Sequence, residues 1–321
     1  MEYRQLGKTD LKVSPVALGT WAIGGKNWGE VNDGDSIRAI HKMIDNGVNF
    51  IDCAPTYGMG HAEEVLGKAL KGKREEIILL TKCGIRWPDE AHKDFSKGAI
   101  RDSSKKSLMK QVDDSLRRLQ TDFIDVYLIH WPDVNTPLEE TAEALKEMKA
   151  AGKIRYTGIS NFTEPMLSQL YSLGVLDVVQ FPYSMVNKTR EADLKKYYDL
   201  GVGTMSYGSL GAGILTGAVR KLPNFEPGDA RLGFYDFFEE PKFSKVMELL
   251  KVMDAISDNR HHVPLAQIAL NWNIQKGIVT SSIMGVRNEA EADENCAALN
   301  WKLNEEEMKE LDDSIDRIMA D

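Results

Sequence analysis

Short apolar runs rich in β-branched residues alternate with amphipathic stretches along the whole chain. The runs occupy 16–18, 49–51, 77–81, 124–129, 156–159, 178–179, 203–205 and 279–283. Between them, Ile37, Ile40 and Ile44 recur at helical spacing, with Gly47 behind them as a stop. Leu108, Val112, Leu116 and Leu119 form a second stripe, and the stretches 138–150, 191–200 and 264–276 run into Gly152, Gly201 and Gly277. Strands alternating with helices predict a parallel sheet with helical crossovers, and eight strand segments predict an α/β fold of the (β/α)8 TIM-barrel type. Segments 3–6 and 12–13, joined by Gly7-Lys8-Thr9-Asp10, read as an N-terminal β-hairpin ahead of the first barrel strand. A doubly wound sheet would carry G-x-G-x-x-G at its first strand–helix turn, and Gly19-Thr20-Trp21-Ala22-Ile23-Gly24-Gly25 lacks that spacing. No linker, repeat or low-complexity tract interrupts the pattern, so 1–321 is expected to form a single barrel domain.

In such a barrel, chemistry collects at the C-terminal ends of the strands. The residues that follow the apolar runs are Asp52, Lys82, His130, Ser160-Asn161, Gln180 and Ser206-Tyr207, and Tyr57 follows Asp52 in Pro55-Thr56-Tyr57-Gly58. Each alone is an ordinary turn or core residue. Together they suit proton donation by a phenol. A free tyrosine titrates near 10 and is a weak acid. A neighbouring Lys82 cation is expected to lower that value, with Asp52 holding the lysine charged. His130 would donate a hydrogen bond to a substrate oxygen. No side chain supplies a hydride, so a cofactor must.

The run Gly47-Val48-Asn49-Phe50-Ile51-Asp52-Cys53-Ala54-Pro55-Thr56-Tyr57-Gly58 is followed by Thr81-Lys82 and by Asp125-Val126-Tyr127-Leu128-Ile129-His130-Trp131-Pro132. Then come Gly152-Lys153-Ile154-Arg155-Tyr156-Thr157-Gly158-Ile159-Ser160-Asn161-Phe162 and Gln180. In these motifs the chain resembles the aldo-keto reductases over essentially its whole length. The resemblance implies that Asp52, Tyr57, Lys82 and His130 are the catalytic tetrad of a carbonyl reductase, with Tyr57 the general acid. It implies an extended nicotinamide cofactor across the barrel mouth. Ser160, Asn161 and Gln180 would hold the carboxamide, Tyr207 would stack on the nicotinamide, and Trp21 would join the cofactor contacts. The loop with Gly208, Leu210 and Gly213 would approach the pyrophosphate, where glycines let the backbone come close. Gly285, Arg287, Glu291 and Asn295 match the adenosine end, with Arg287 facing the 2′-phosphate and Asn295 the adenine. Here the chain departs from the common pattern: Met284 stands for a proline, Glu291 for a glutamine or arginine, and Gly208-Ser209 for serine-proline. A carboxylate repels a 2′-phosphate but accepts from a ribose 2′-hydroxyl. NADP(H) is therefore the expected cofactor, with NAD(H) as the alternative.

Trp28, Trp87 and Trp131 fall after strands near the expected mouth, as pocket lining or as core aromatics. The connections 217–238 and 84–94 read as a mobile cover or as plain surface loops. Two other functions remain open: a Schiff-base lyase on Lys82, which needs a neutral amine that Asp52 would oppose, and a non-catalytic nicotinamide-sensing subunit.

Composition narrows the partners. Net charge is −9, which opposes nucleic acid as the main ligand. Cys53, Cys83 and Cys296 are too few and too widely spaced for a disulfide framework or a zinc site; Cys53 and Cys83 read as packed thiols, and no metal site is expected. No apolar run is long enough for a membrane helix, and Met1-Glu2-Tyr3-Arg4 opens no signal stretch, so a cytoplasmic protein acting on a small carbonyl or alcohol is expected. Nothing in the sequence decides the oligomeric state.

Overall fold

The computed structural model describes residues 1–25, 31–88, 98–225, 229, 231 and 234–320. The eight apolar runs become strands β3 (Val16–Gly19), β4 (Phe50–Asp52), β5 (Ile78–Cys83), β8 (Ile124–Ile129), β9 (Ile154–Ser160), β10 (Val178–Pro182), β11 (Gly203–Tyr207) and β12 (Ser281–Gly285). Neighbours are parallel throughout, and the ring closes in the order β10-β11-β12-β3-β4-β5-β8-β9. At the seam, Ser282 pairs with Val16, and Ser281 Oγ donates to the carbonyl of Ser14. The (β/α)8 barrel is as the alternation predicts.

The expected hairpin is also present: β1 (Arg4–Gln5) and β2 (Lys12–Val13) pair antiparallel. It closes one end of the barrel. Leu6 lies against Gly203, the first residue of β11, and the amide of Lys8 donates to the carbonyl of Gly201. Leu6, Leu11 and Val13 pack in one inner cluster with Ala17, Phe50, Leu80, Val126, Leu128, Val178, Met205 and Ile283.

That cluster explains where the polar residues go. Side chains in a strand alternate between faces with a period of two. Phe50, Leu80, Leu128, Val178 and Met205 face inward, so Asp52, Lys82, His130, Gln180 and Tyr207, two residues on, occupy the next inward level. The odd-numbered neighbours Ile51, Leu79, Ile129 and Val179 pack outward against the helices. Several strands run one or two residues past their apolar runs, because the backbone ladder continues through the polar level.

The crossover helices are α1 (Asp33–Asp45), α2 (His61–Ala69), α3 (Lys105–Leu119), α4 (Leu138–Ala150), α5 (Glu164–Ser172), α6 (Glu191–Asp199), α8 (Leu265–Gln275) and α9 (Glu289–Ala297). Several start on side-chain caps, with Asn32, Ser104 and Asn288 accepting from first-turn amides. Two helices are additional: α7 (Lys242–Ile256) and α10 (Glu305–Ile318), which pack on each other. Asn304 caps the start of α10 and forms a capping box with Glu307. The connection after β5 contains β6 (Ile85–Arg86), which pairs with β7 (Ile100–Arg101). His261 hydrogen-bonds Glu307 at 2.9 Å, and its ring lies tilted against that of Trp301. No described helix is long and apolar enough to cross a membrane, and no metal-binding cluster occurs among the described residues.

Leu6 is fully buried and seals the barrel end. Leu6→Ala should lower unfolding free energy by about 2–5 kcal/mol, read by urea denaturation, while the amide network at the opposite mouth stays formed.

Candidate active site

Lys82 stands at the centre of the mouth with its side chain fully buried. Its ammonium has three protons and three acceptors. It donates to Asp52 Oδ1 at 2.6 Å, to the carbonyl of Cys53 at 3.0 Å and to Tyr57 Oη at 3.1 Å. Asp52 is itself buried, and the same Oδ1 accepts from Gln180 Nε2 at 2.8 Å. The three segments that carry Asp52 with Tyr57, Lys82 and His130 thus meet in one place, with the Tyr57 and His130 ring centroids 6.2 Å apart and edge to face.

This geometry has two chemical consequences. Tyr57 Oη accepts a hydrogen bond from Lys82, so its own proton is free to point at a ligand. The lysine is spent as a charged donor, which opposes the neutral amine a Schiff base requires. The acidity of Tyr57 differs from the sequence expectation. Burial, and then the Asp52 charge, push its pKa well above 10.0 rather than lowering it. The cation of Lys82 is balanced by the carboxylate it binds, and the ring is out of water. His130 moves the other way: burial, with Lys82 nearby, holds its pKa well below 6.5 and keeps the imidazole neutral.

The residues expected at the cofactor form a second network beside the first. Asn161, in left-handed backbone with φ 63°, donates from Nδ2 to the carbonyl of His130 and to Ser160 Oγ, both at 3.0 Å. Its Oδ1 accepts from the Tyr207 hydroxyl at 2.8 Å, and Ser160 Oγ donates to the carbonyl of Gln180 at 2.9 Å. The carboxylate of Asp52 can only accept, so Gln180 must turn its amide nitrogen inward and its carbonyl oxygen outward.

Past Tyr207 the backbone turns through positive φ at Gly208, Gly211, Ala212 and Gly213, with Leu210 between them. A Cβ on Gly208 or Gly213 would meet nothing within 4 Å, so both face open space. The loop rests on a buried chain that sequence reading passed over. Ser206 Oγ donates to Asn273 Oδ1 at 2.9 Å and lies 3.2 Å from Ser209 Oγ, and Asn273 Nδ2 donates to the carbonyl of Tyr183 at 2.8 Å. The available signal was an asparagine inside the apolar α8.

At the far end, Gly285 closes β12 and is exposed. Arg287 is held by Glu291, with Nη2 2.7 Å and Nε 3.0 Å from Oε1 and its backbone amide 2.8 Å from Oε2. Asn295 is buried on α9. Trp21 lies over Tyr57 with ring centroids 6.2 Å apart at 25°. Trp131 is half-buried under the Arg101 guanidinium, and Trp87 is half-buried. Trp28 lies outside the described residues, as do parts of both long connections.

Two further residues escaped the sequence reading. Thr56 Oγ1 lies 3.4 Å from His130 Nδ1. Glu63, fully buried, accepts from Thr81 Oγ1 at 2.7 Å and pairs with Arg118 at 2.6 Å, tying α2, α3 and β5 together behind the site.

The aldo/keto reductase family matches residues 15–316. The chain belongs to that family. It is 33% identical to the NADH-specific methylglyoxal reductase of Escherichia coli (strain K12), over 97% of this chain and 98% of that protein. Its fold is similar to the glycerol dehydrogenase AKR11B4 from Gluconobacter oxydans, with a TM-score of 0.90 and 34% identity over 100% of this chain and 97% of that one. It is also similar to an aldo/keto reductase from Klebsiella pneumoniae in complex with NADP and acetate, with a TM-score of 0.73 and 26% identity over 97% and 94% of the two chains. This aldo/keto reductase is thus an oxidoreductase by family, on the barrel the family shares.

Removing one partner of a buried ion pair strands the other. Lys82→Met should cost about 3–5 kcal/mol of stability, and the combined Asp52→Asn, Lys82→Met chain should recover part of that loss, measured by urea unfolding of the two variants side by side.

Proposed function

We propose that the chain reduces small aldehydes and ketones to alcohols with NADP(H), accepting NAD(H) as well, and works as a single barrel domain across 1–321 in the cytoplasm. The observation that carries this reading is the double engagement of Lys82 with Asp52 and Tyr57, which leaves a protonated phenol with its proton directed away from the lysine. A nicotinamide cofactor fits the neighbouring residues. Gln180 offers an outward carbonyl, Tyr207 an aromatic face, and the turn through Gly208–Gly213 an open backbone approach of the kind that cradles phosphate. When bound, the cofactor supplies the hydride.

The chain's own residues manage the proton. Tyr57 donates to the carbonyl oxygen as negative charge develops there, which is general acid catalysis. Lys82 stays as a donor to Tyr57 Oη and stabilises the phenolate that remains. Asp52 keeps Lys82 charged and in place. His130, neutral, donates a hydrogen bond that orients the carbonyl. Trp21, Trp87 and Trp131 restrict water at the mouth. Small polar carbonyls are the favoured class, since the similar proteins include a methylglyoxal reductase and a glycerol dehydrogenase.

Tyr57→Phe should lower reduction by about 100-fold or more while cofactor affinity stays near wild type, in a nicotinamide absorbance assay paired with fluorescence titration. Equal loss of both would remove Tyr57 from the proton-donor role. The pH profile has a defined sign. The acid form of Tyr57 is lost only as pH rises through a pKa raised above 10.0, and neutral His130 is lost only as pH falls through one depressed below 6.5. Reduction kcat/KM, which reports the free enzyme's groups, should therefore be flat between those two values, and an alkaline fall near pH 8 would contradict it.

Arg287 and Glu291 set the cofactor balance in this reading. Arg287→Ala should weaken NADPH about tenfold and NADH little, and Glu291→Gln should strengthen NADPH, both by titration. Equal effects on the two cofactors would exclude Arg287 from contact with the 2′-phosphate.

A further inference from the structure

The role of His130 depends on which of its two ring nitrogens carries the proton. A neutral imidazole has one N–H and one lone pair, and the partner of one nitrogen decides what the other presents. Among the described residues, Nδ1 has one hydrogen-bond partner, the hydroxyl of Thr56 at 3.4 Å, and Nε2 has none. The same is true in reverse: Nδ1 is the one partner of the Thr56 hydroxyl among those residues. The backbone on both sides is pinned. The amide of His130 donates to the carbonyl of Cys83, its carbonyl accepts from Asn161, and the amide of Tyr57 donates to the carbonyl of Ala54.

The pair can be wired in two ways. If Nδ1 carried the proton and donated to Thr56, the hydroxyl hydrogen would lack a protein acceptor, and Nε2 would turn a lone pair toward the mouth. If Thr56 donates to Nδ1, the hydroxyl hydrogen has its acceptor and Nε2 carries an N–H. Nε2 is not among the enclosed unpartnered atoms of the described residues, so water or a ligand oxygen at the mouth can accept its hydrogen, whereas a hydroxyl hydrogen turned away from Nδ1 has no protein acceptor among those residues; the first wiring is the costlier one. We infer that Thr56 is a positioning residue, which donates to His130 Nδ1 and thereby fixes the imidazole as a donor from Nε2 toward the substrate oxygen. This rests on the carbonyl-reductase reading above.

The side chain adjacent to the general acid thus prepares the other group that meets the carbonyl. One short segment, Thr56-Tyr57, governs both the proton that is transferred and the hydrogen bond that orients its acceptor. A lone pair at Nε2 would face the carbonyl lone pairs and repel them, so the wiring bears on turnover more than on cofactor affinity.

The test uses the whole protein labelled with 15N-histidine, with the His130 signals assigned by comparison with His130→Gln. In wild type and Thr56→Ser, Nδ1 should show the shift of an unprotonated ring nitrogen and Nε2 that of a protonated one. In Thr56→Val, of nearly the same shape, the proton should spread over both nitrogens. With a small aldehyde as substrate, kcat in Thr56→Val should fall about tenfold, with cofactor affinity unchanged, and Thr56→Ser should restore most of it. A protonated Nδ1 in wild type overturns the inference, as does a Thr56→Val spectrum identical to wild type. A shifted proton with unchanged kcat overturns the catalytic part. The spectra need no turnover, so they decide the wiring independently. Wild-type activity in Tyr57→Phe would instead sink the reductase reading and leave the spectral result standing.

Discussion

The site depends on a lysine that has no proton to spare. Lys82 is fully buried, and its three donors go to a carboxylate, a backbone carbonyl and a phenol. A buried ammonium is tolerable only when it is paired and fully hydrogen-bonded. Each partner of Lys82 is therefore held in position by the need to satisfy it. Asp52 must end the neighbouring strand, paired with Leu80 and within reach of the ammonium, and Tyr57 must return over the mouth from the following loop. Gln180 then satisfies the oxygen that Lys82 has already engaged, which fixes the direction of its amide. The network around Tyr57 and the one around Gln180 thus meet at one carboxylate oxygen.

Much of this was readable from the chain. Parity along the strands put Phe50 and Asp52, Leu80 and Lys82, and Val178 and Gln180 on the same inward face, and the barrel then brought their ends together. The resemblance in the motifs around Asp52, Lys82 and His130 pointed to the same residues. What the sequence could not show was depth. The tyrosine was expected to become a stronger acid beside Lys82, yet burial and Asp52 push it the other way. Neighbours can be guessed from a motif, but the loss of water around them cannot.

Other features were hidden for different reasons. The contact of Thr56 with His130 spans 74 residues, and no local periodicity encodes it. Asn273 sits in a helix whose apolar text masks a polar task, the support of the turn after β11. The opposite holds for α7, where Phe243, Val246, Leu249, Leu250, Met253 and Ile256 recur at helical spacing. That signal was present but lay beyond a loop long enough to dominate the reading. Glu291 was legible as a departure from the family pattern. Its grip on the backbone and guanidinium of Arg287 was not.

The seam between β3 and β12 has a consequence for how the chain reaches this state. Those strands join residues near the two ends of the sequence, with Val16 beside Ser282. Every other strand pairs with a neighbour much closer along the chain. Closing the seam carries the largest loop-entropy cost in the ring, so it belongs late in folding. Until it closes, β3 and β12 are open edges that can pair with another molecule. Synthesis adds to this exposure, because β12 leaves the ribosome long after β3. The vulnerable species is therefore a nearly complete ring lacking its last strand, and its hazard is association through the β3 and β11 edges that β12 will cover.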